Sequence, residues 1–194
     1  MSRTVNEKRP EELRDAIVQY LKKHGLADLS LRPLAKAVGS SPRVLLYYFG
    51  SKEKMVVKVL GEVRQRQRAG YGQMEAASFA EACQTIWKQM SAPASEPLFR
   101  LFFEAYGMAL RHPQLYKAFL RDTIEDWLRF VADPLCREGY ERRDARAFAT
   151  IVLAGLRGFM LDYCASRDRK RLDHAVALWV RTLDSMLPDG KEAK

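Results

Sequence analysis

The sequence predicts an all-α chain, with a small three-helix domain at the N-terminus and a larger helical domain after it. Three observations predict it. Apolar residues recur at three- and four-residue spacing in nearly every segment, the period of a helix with one buried face, and no strand-like alternation appears. Helix start and stop residues follow one another at short intervals from Pro10 onward. Charge is divided unevenly: of a net +9, residues 1–70 hold 15 Lys/Arg against 7 Asp/Glu, and the remainder 18 against 17. A basic third followed by a neutral remainder fits a nucleic-acid reader with a second task elsewhere in the chain.

The first nine residues, with Arg3, Lys8 and Arg9, are expected to be a flexible basic arm. Pro10 then opens a helix, with Glu11 and Glu12 at its positive end. Leu13, Ala16, Ile17, Tyr20 and Leu21 form its inner stripe, and Gly25 stops it. Ser30 is a candidate cap for a second helix, in which Leu31, Leu34, Ala35 and Val38 face inward. Gly39 ends that helix, because a left-handed residue is cheap only for glycine. Ser41-Pro42 restarts the chain, serine as cap and proline at the first helical position. Leu45 and Phe49, four apart, point back inward.

Two short helices joined by a glycine turn make a helix-turn-helix, whose second helix fits the DNA major groove. Its outward side carries Pro42, Arg43, Leu46 and Tyr47. Arg43 is the first candidate for base reading, since its fork matches the O6 and N7 of guanine, and Arg32 is the second. Tyr47, Tyr48 and Lys52, with the Ser41 hydroxyl, are candidates for phosphate contacts that set the register. Ser51-Lys52 also starts a further helix, placing a cation beside its exposed first amides.

The string from Ser30 to Met55 resembles the N-terminal domain of the tetracycline-repressor (TetR) family of transcription regulators. The matching residues are Gly39, Leu45, Tyr48, Phe49, Ser51, Lys52 and Glu53. Leu46 departs from the pattern, which usually has a phosphate-binding tyrosine there, and Tyr47 is the neighbour able to take over that contact. The resemblance covers roughly residues 10–60. It implies that the positions of Arg32 and Arg43 face the groove, and that the next helix leaves the DNA and links the domains.

That linking helix runs from Ser51 to about Arg68, with a break at Ala69 to Gln73. The chain therefore divides as arm 1–9, helix-turn-helix domain 10–52, linking helix and break 53–72, ligand-binding and dimerisation domain 73–187, and polar tail 188–194. Helices are expected over 79–90, 98–111, 115–138, 144–166 and 172–187. The last two carry wide apolar stripes, and Ala154, Gly155 and Gly158 permit close packing. A second copy would bury that surface as a four-helix bundle across a two-fold axis, as the last two helices of the resembled family do.

Catalysis is not expected. There is no phosphate-binding loop, dinucleotide fingerprint or nucleophile elbow, and His24, His112 and His174 lie far apart. Cys83, Cys136 and Cys164 show no metal-ligand spacing, so neither metal nor cofactor is expected. Trp87, Phe102, Phe103, Tyr106, Trp127, Phe130, Phe159 and Tyr163 are candidate pocket-lining residues for a small, mostly apolar effector, with Tyr106, Tyr163, Asp162 and Glu104 as polar groups. Taken singly, each aromatic also reads as core. No uninterrupted apolar run approaches the roughly 20 residues of a membrane span, and the N-terminus is not a signal peptide, so a cytoplasmic protein without membrane contact is expected. With the resemblance, the expected function is a homodimeric regulator, a repressor released from a palindromic operator by its effector. The alternative is a constitutive DNA-binding dimer without effector.

Overall fold

The computed structural model describes residues 10–72 and 78–187, all of whose regular structure is helical. The basic arm, Gln73 of the expected break and the tail lie outside the described residues. The helices are α1 (Pro10–His24), α2 (Leu31–Ala37), α3 (Pro42–Phe49), α4 (Lys52–Gly72), α5 (Phe79–Met90), α6 (Glu96–Arg111), α7 (Lys117–Arg137), α8 (Arg142–Ser166) and α9 (Arg169–Asp184). The all-α class predicted from spacing is what the chain adopts. Boundaries differ in places: α9 spans Arg169–Asp184 where 172–187 was expected, and α4 continues through Ala69 and Gly70 to Gly72, where a break was expected. Each helical glycine costs only about 1 kcal/mol relative to alanine, so a long helix can carry through them.

The chain forms two compact units, residues 1–67 with 100–120, and residues 68–99 with 121–194. In the first, Leu13, Ile17 and Leu21 of α1, Leu34 of α2, Leu45 of α3 and Met55, Val56 and Val59 of α4 are almost fully buried. The same core takes in Leu101, Ala105 and Ala109 of α6, together with Tyr116 and Phe119. The helix-turn-helix is thus completed by a segment that comes later in sequence. Arg14 pairs with Glu62 at 3.0 Å and Arg66 with Asp15 at 2.6 Å, tying α1 to α4. Arg66, in the basic end of the linking helix, is held by this pair.

In the second unit, α8 buries Ala145, Phe148, Ala149, Val152, Leu156 and Met160, and α9 buries Leu172, Val176, Val180 and Leu183. Trp87 of α5 donates from Nε1 to Asp173 of α9 at 2.7 Å. Trp179 lies on Gly155, where a Cβ would come within 2.4 Å of its ring. Gly155 therefore serves helix packing inside the chain, whereas a Cβ on Gly158 would meet nothing within 4 Å. Ile151, Leu161 and Leu178 are exposed. By length and mean hydropathy (1.4) alone, α8 would suffice to cross a membrane, although the sequence holds no uninterrupted apolar run of that length. Its apolar excess divides between the buried side and this open stripe.

Candidate nucleic-acid interface

Helix α2 begins after Ser30, whose backbone is extended (φ −118°, ψ 139°) but whose side chain makes no capping bond. The expected hydroxyl cap is missing. A capping oxygen accepts from the second or third helical N–H; Pro33 at the third position has none, which leaves that of Arg32 as the one local donor. The helix ends in full: Gly39 (φ +68°) donates to Lys36 O at 3.3 Å and Ser40 to Ala35 O at 2.8 Å. This pair of bonds satisfies two orphan carbonyls and turns the chain into the next helix.

The cap of α3 is made. Ser41 Oγ accepts from Val44 N at 3.2 Å, which leaves the hydroxyl able to donate as well, and Pro42 occupies the first turn. Leu45 and Phe49 are buried, which fixes the rotation of α3. Arg43, Leu46, Tyr47 and Tyr48 are consequently exposed, Tyr47 at 83%. A large ring left in water has no packing reason to be there. Tyr47 and Tyr48 meet edge to face, with centroids 5.5 Å apart, so one ring braces the other. Lys58 lies over the inner Phe49 ring at 5.8 Å. Arg32 is exposed in the first turn of α2.

Of the phosphate candidates, Lys52 is half-buried and its Nζ donates to the carbonyl of Leu29 at 3.3 Å. It steadies the start of α2 with one of its three donors. Ser51 Oγ accepts from Lys54 N at 3.1 Å. A backbone hydrogen bond, then Ser51 and Lys52, hold the Glu53 carboxyl below its usual range against the opposing effect of desolvation. Glu53 is thus an anion beside Lys52. The exposed cation at this helix start is Lys54, which the sequence reading passed over. Its signal was present, since Lys52, Lys54 and Lys58 follow one another there.

The eight aromatic pocket candidates divide. Phe102, Phe103 and Tyr106 belong to the first unit, where Phe102 touches both of the others and Phe102 and Tyr106 pack on its core. In the second unit, Trp87 meets Phe159 and Tyr163, with centroids 6.1 and 6.5 Å apart, and Trp127 meets Phe130 at 5.6 Å. Of the polar candidates, Asp162 is paired with Arg171 at 2.6 Å, and Glu104 is hydrogen-bonded to Leu26 N. Among the described residues no group of three or more His, Cys, Asp or Glu side chains is placed to hold a metal ion.

Comparison with known proteins meets this geometry. Residues 13–59, from α1 into α4, match the profile of the bacterial regulatory proteins of the tetR family. The chain is similar to the HTH-type transcriptional regulator BetI of Rhizobium meliloti (strain 1021), 25% identical over 175 residues, which span 89% of this chain and 74% of that one. Its fold is similar to that of a transcriptional regulator from Rhodococcus sp. Rha1, with a TM-score of 0.76 at 22% identity over 91% of this chain and 96% of the other. It is also similar to BioQ, solved with its double-stranded DNA operator, with a TM-score of 0.57 at 17% identity over 92% and 99% of the two chains.

Proposed function

We propose that this chain, a DNA-binding transcriptional regulator of the TetR family and not an enzyme, acts as a homodimer that reads a palindromic operator through α3 and releases it when a small, mostly apolar effector binds. One observation carries the reading. Helix α3 is fixed from inside by Leu45 and Phe49 and turns Arg43 and a braced tyrosine pair to the solvent, within the third of the chain that holds nearly all the excess positive charge. Arg43 and Arg32 read base edges, while Tyr47, Tyr48, Lys52 and the Ser41 hydroxyl contact phosphates, with Lys54 as an added grip. Pro42 and Leu46 make apolar contacts with the groove.

Dimerisation is supported by the exposed apolar groups Ile151 and Leu161 of α8 and Leu178 of α9, and by the open space at Gly158. A two-fold axis through this face would pair the two reading helices with half-sites about one DNA turn, 34 Å, apart. The effector would act by binding one arrangement of the dimer better than the other. Its candidate contacts within the second unit are the aromatic groups around Trp87 and Trp127, and the compartment of action is the cytoplasm.

Selection from random duplexes with the full chain tests the reading. The wild type is expected to enrich a palindrome. Arg43→Ala is expected to lose about 1–3 kcal/mol and to relax preference at one base pair per half-site. Enrichment of no sequence would overturn the proposal. A small molecule that raises Tm and releases the duplex separates the effector reading from constitutive binding.

A further inference from the structure

The connector between α1 and α2 is held from outside at both ends. Helix α1 closes with Gly25 N donating to Leu21 O at 2.8 Å. The next N–H, that of Leu26, donates to Glu104 Oε2 on α6 at 2.6 Å, 78 residues away in sequence. Gly25 has φ +72°, and a Cβ there would lie 2.9 Å from Oε2 and 3.2 Å from Oε1. Only glycine both adopts that turn and admits the carboxylate so close. Three residues on, Leu29 O accepts from Lys52 Nζ at 3.3 Å. An anion from α6 and a cation from α4 thus bracket the connector, and the side chains of Leu26 and Leu29 between them are buried. Ser30 adds no side-chain cap, so beside the backbone bonds from Leu29 N to Leu26 O and Leu34 N to Ser30 O, these two external bonds brace the approach to α2, whose second residue is Arg32.

We propose that Glu104 is a positioning residue for DNA reading. Its carboxylate fixes the Gly25–Leu26 turn, and through it the pose of α2, so that Arg32 and α3 meet one set of base pairs. The bond is charge-assisted and short, the stronger class of hydrogen bond. Glu104 acts on the turn and not on the duplex. This assignment rests on the DNA-reading function proposed above.

The test uses the full chain, duplexes selected by the wild type, and hydrogen exchange at the Leu26 amide. Glu104→Ala is expected to speed exchange at Leu26 and to weaken binding about tenfold, as loss of a hydrogen bond to a charged group implies. The salt dependence should stay as in the wild type, because no phosphate contact is removed. Preference should relax at the base pairs that Arg32→Ala also relaxes. Glu104→Gln keeps an acceptor oxygen at the same reach and should restore most of that preference. If Glu104→Ala unfolds the chain, Glu104→Asp, whose carboxylate falls one methylene short, carries the same readouts. Fast exchange at Leu26 with unchanged affinity and sequence choice would overturn the assignment. So would a uniform loss on all duplexes that tracks lost folded protein, with Gln no better than Ala. A wild-type chain that selects no sequence overturns the function reading instead, and is told apart because it concerns the unsubstituted protein.

Discussion

Gly155→Ala and Gly158→Ala make the same chemical change three residues apart on α8, and the structure assigns them opposite signs. Removing a mid-helix glycine stabilises by roughly 0.5–1 kcal/mol through backbone entropy. Within the protomer the methyl added at Gly158 meets nothing within 4 Å, so this gain should appear whole where Leu178→Glu keeps the proposed dimer face open. At Gly155 it would lie 2.4, 2.6 and 2.9 Å from Cζ2, Cε2 and Nε1 of Trp179. Ordinary contact begins about 1 Å further out. The indole cannot retreat freely, because Phe159 packs against it with centroids 5.4 Å apart and Phe159 in turn meets Trp87. Overpacking of this kind costs roughly 1–3 kcal/mol, which outweighs the entropic gain. In the Leu178→Glu background, Gly155→Ala should therefore be about 1–2 kcal/mol less stable than its parent, and Gly158→Ala about 0.5–1 kcal/mol more stable. Urea unfolding followed by far-UV circular dichroism, at one protein concentration and with unchanged slope, measures both. A Gly155→Ala chain as stable as its parent would refute the seating of Trp179 on Gly155. With that seating gone, the division of the two helices into an inner and an open side would fail as well.

The same division directs the dimer test. Leu178→Glu, on the exposed side, should give monomers in analytical ultracentrifugation with the fold retained, whereas Trp179→Glu should destabilise the protomer itself. A fragment of residues 1–72 should show no cooperative thermal transition, because it lacks Leu101, Ala105, Ala109, Tyr116 and Phe119 of its own core; a sharp transition would count against that shared core. Burial, with a smaller contribution from Asp184, pushes the Cys83 thiol up to about 12, so in native protein at pH 8 it should resist a thiol reagent while the half-buried Cys136 and Cys164 react; rapid titration of all three would contradict this. Arg146 holds the Glu125 carboxyl below its usual range, and Arg171 does the same for Asp162. Folded-state values below the unfolded ones give stability that is present above about pH 4 and lost as pH falls through the folded values. Tm should therefore drop on acidification below pH 4 less in Glu125→Gln than in the wild type.

Much of the helix-turn-helix was legible in the chain itself. Spacing of Leu45 and Phe49 against Arg43 and Tyr47 set the rotation of α3, because a helix eight residues long has only one way to bury two apolar groups four apart. The glycine turn at Gly39 and the serine-proline start at 41–42 were equally local, since each depends on backbone conformation and one nearby hydrogen bond. At Ser30 the expected cap does not form, and Pro33, also written in the sequence, removes one of the two amides that a capping oxygen could meet.

What neighbouring residues could not reveal was decided by packing. Apolar periodicity says that a face is buried but not against what, so residues 100–120 gave no sign that they complete the first unit's core. Glu104 was grouped with pocket residues because it sits among aromatics in sequence. Its partner is a backbone N–H 78 residues away, and no side-chain pattern marks a backbone donor left open. Gly155 and Gly158 look alike on paper; only the arrival of Trp179 from another helix makes one a contact and leaves the other open. Sequence determined the helices, their inner faces and the exposed basic surface of the first unit, because these follow from bonds and charges within a few residues. Tertiary structure decided which face meets which, because that depends on distant groups competing for the same small spaces.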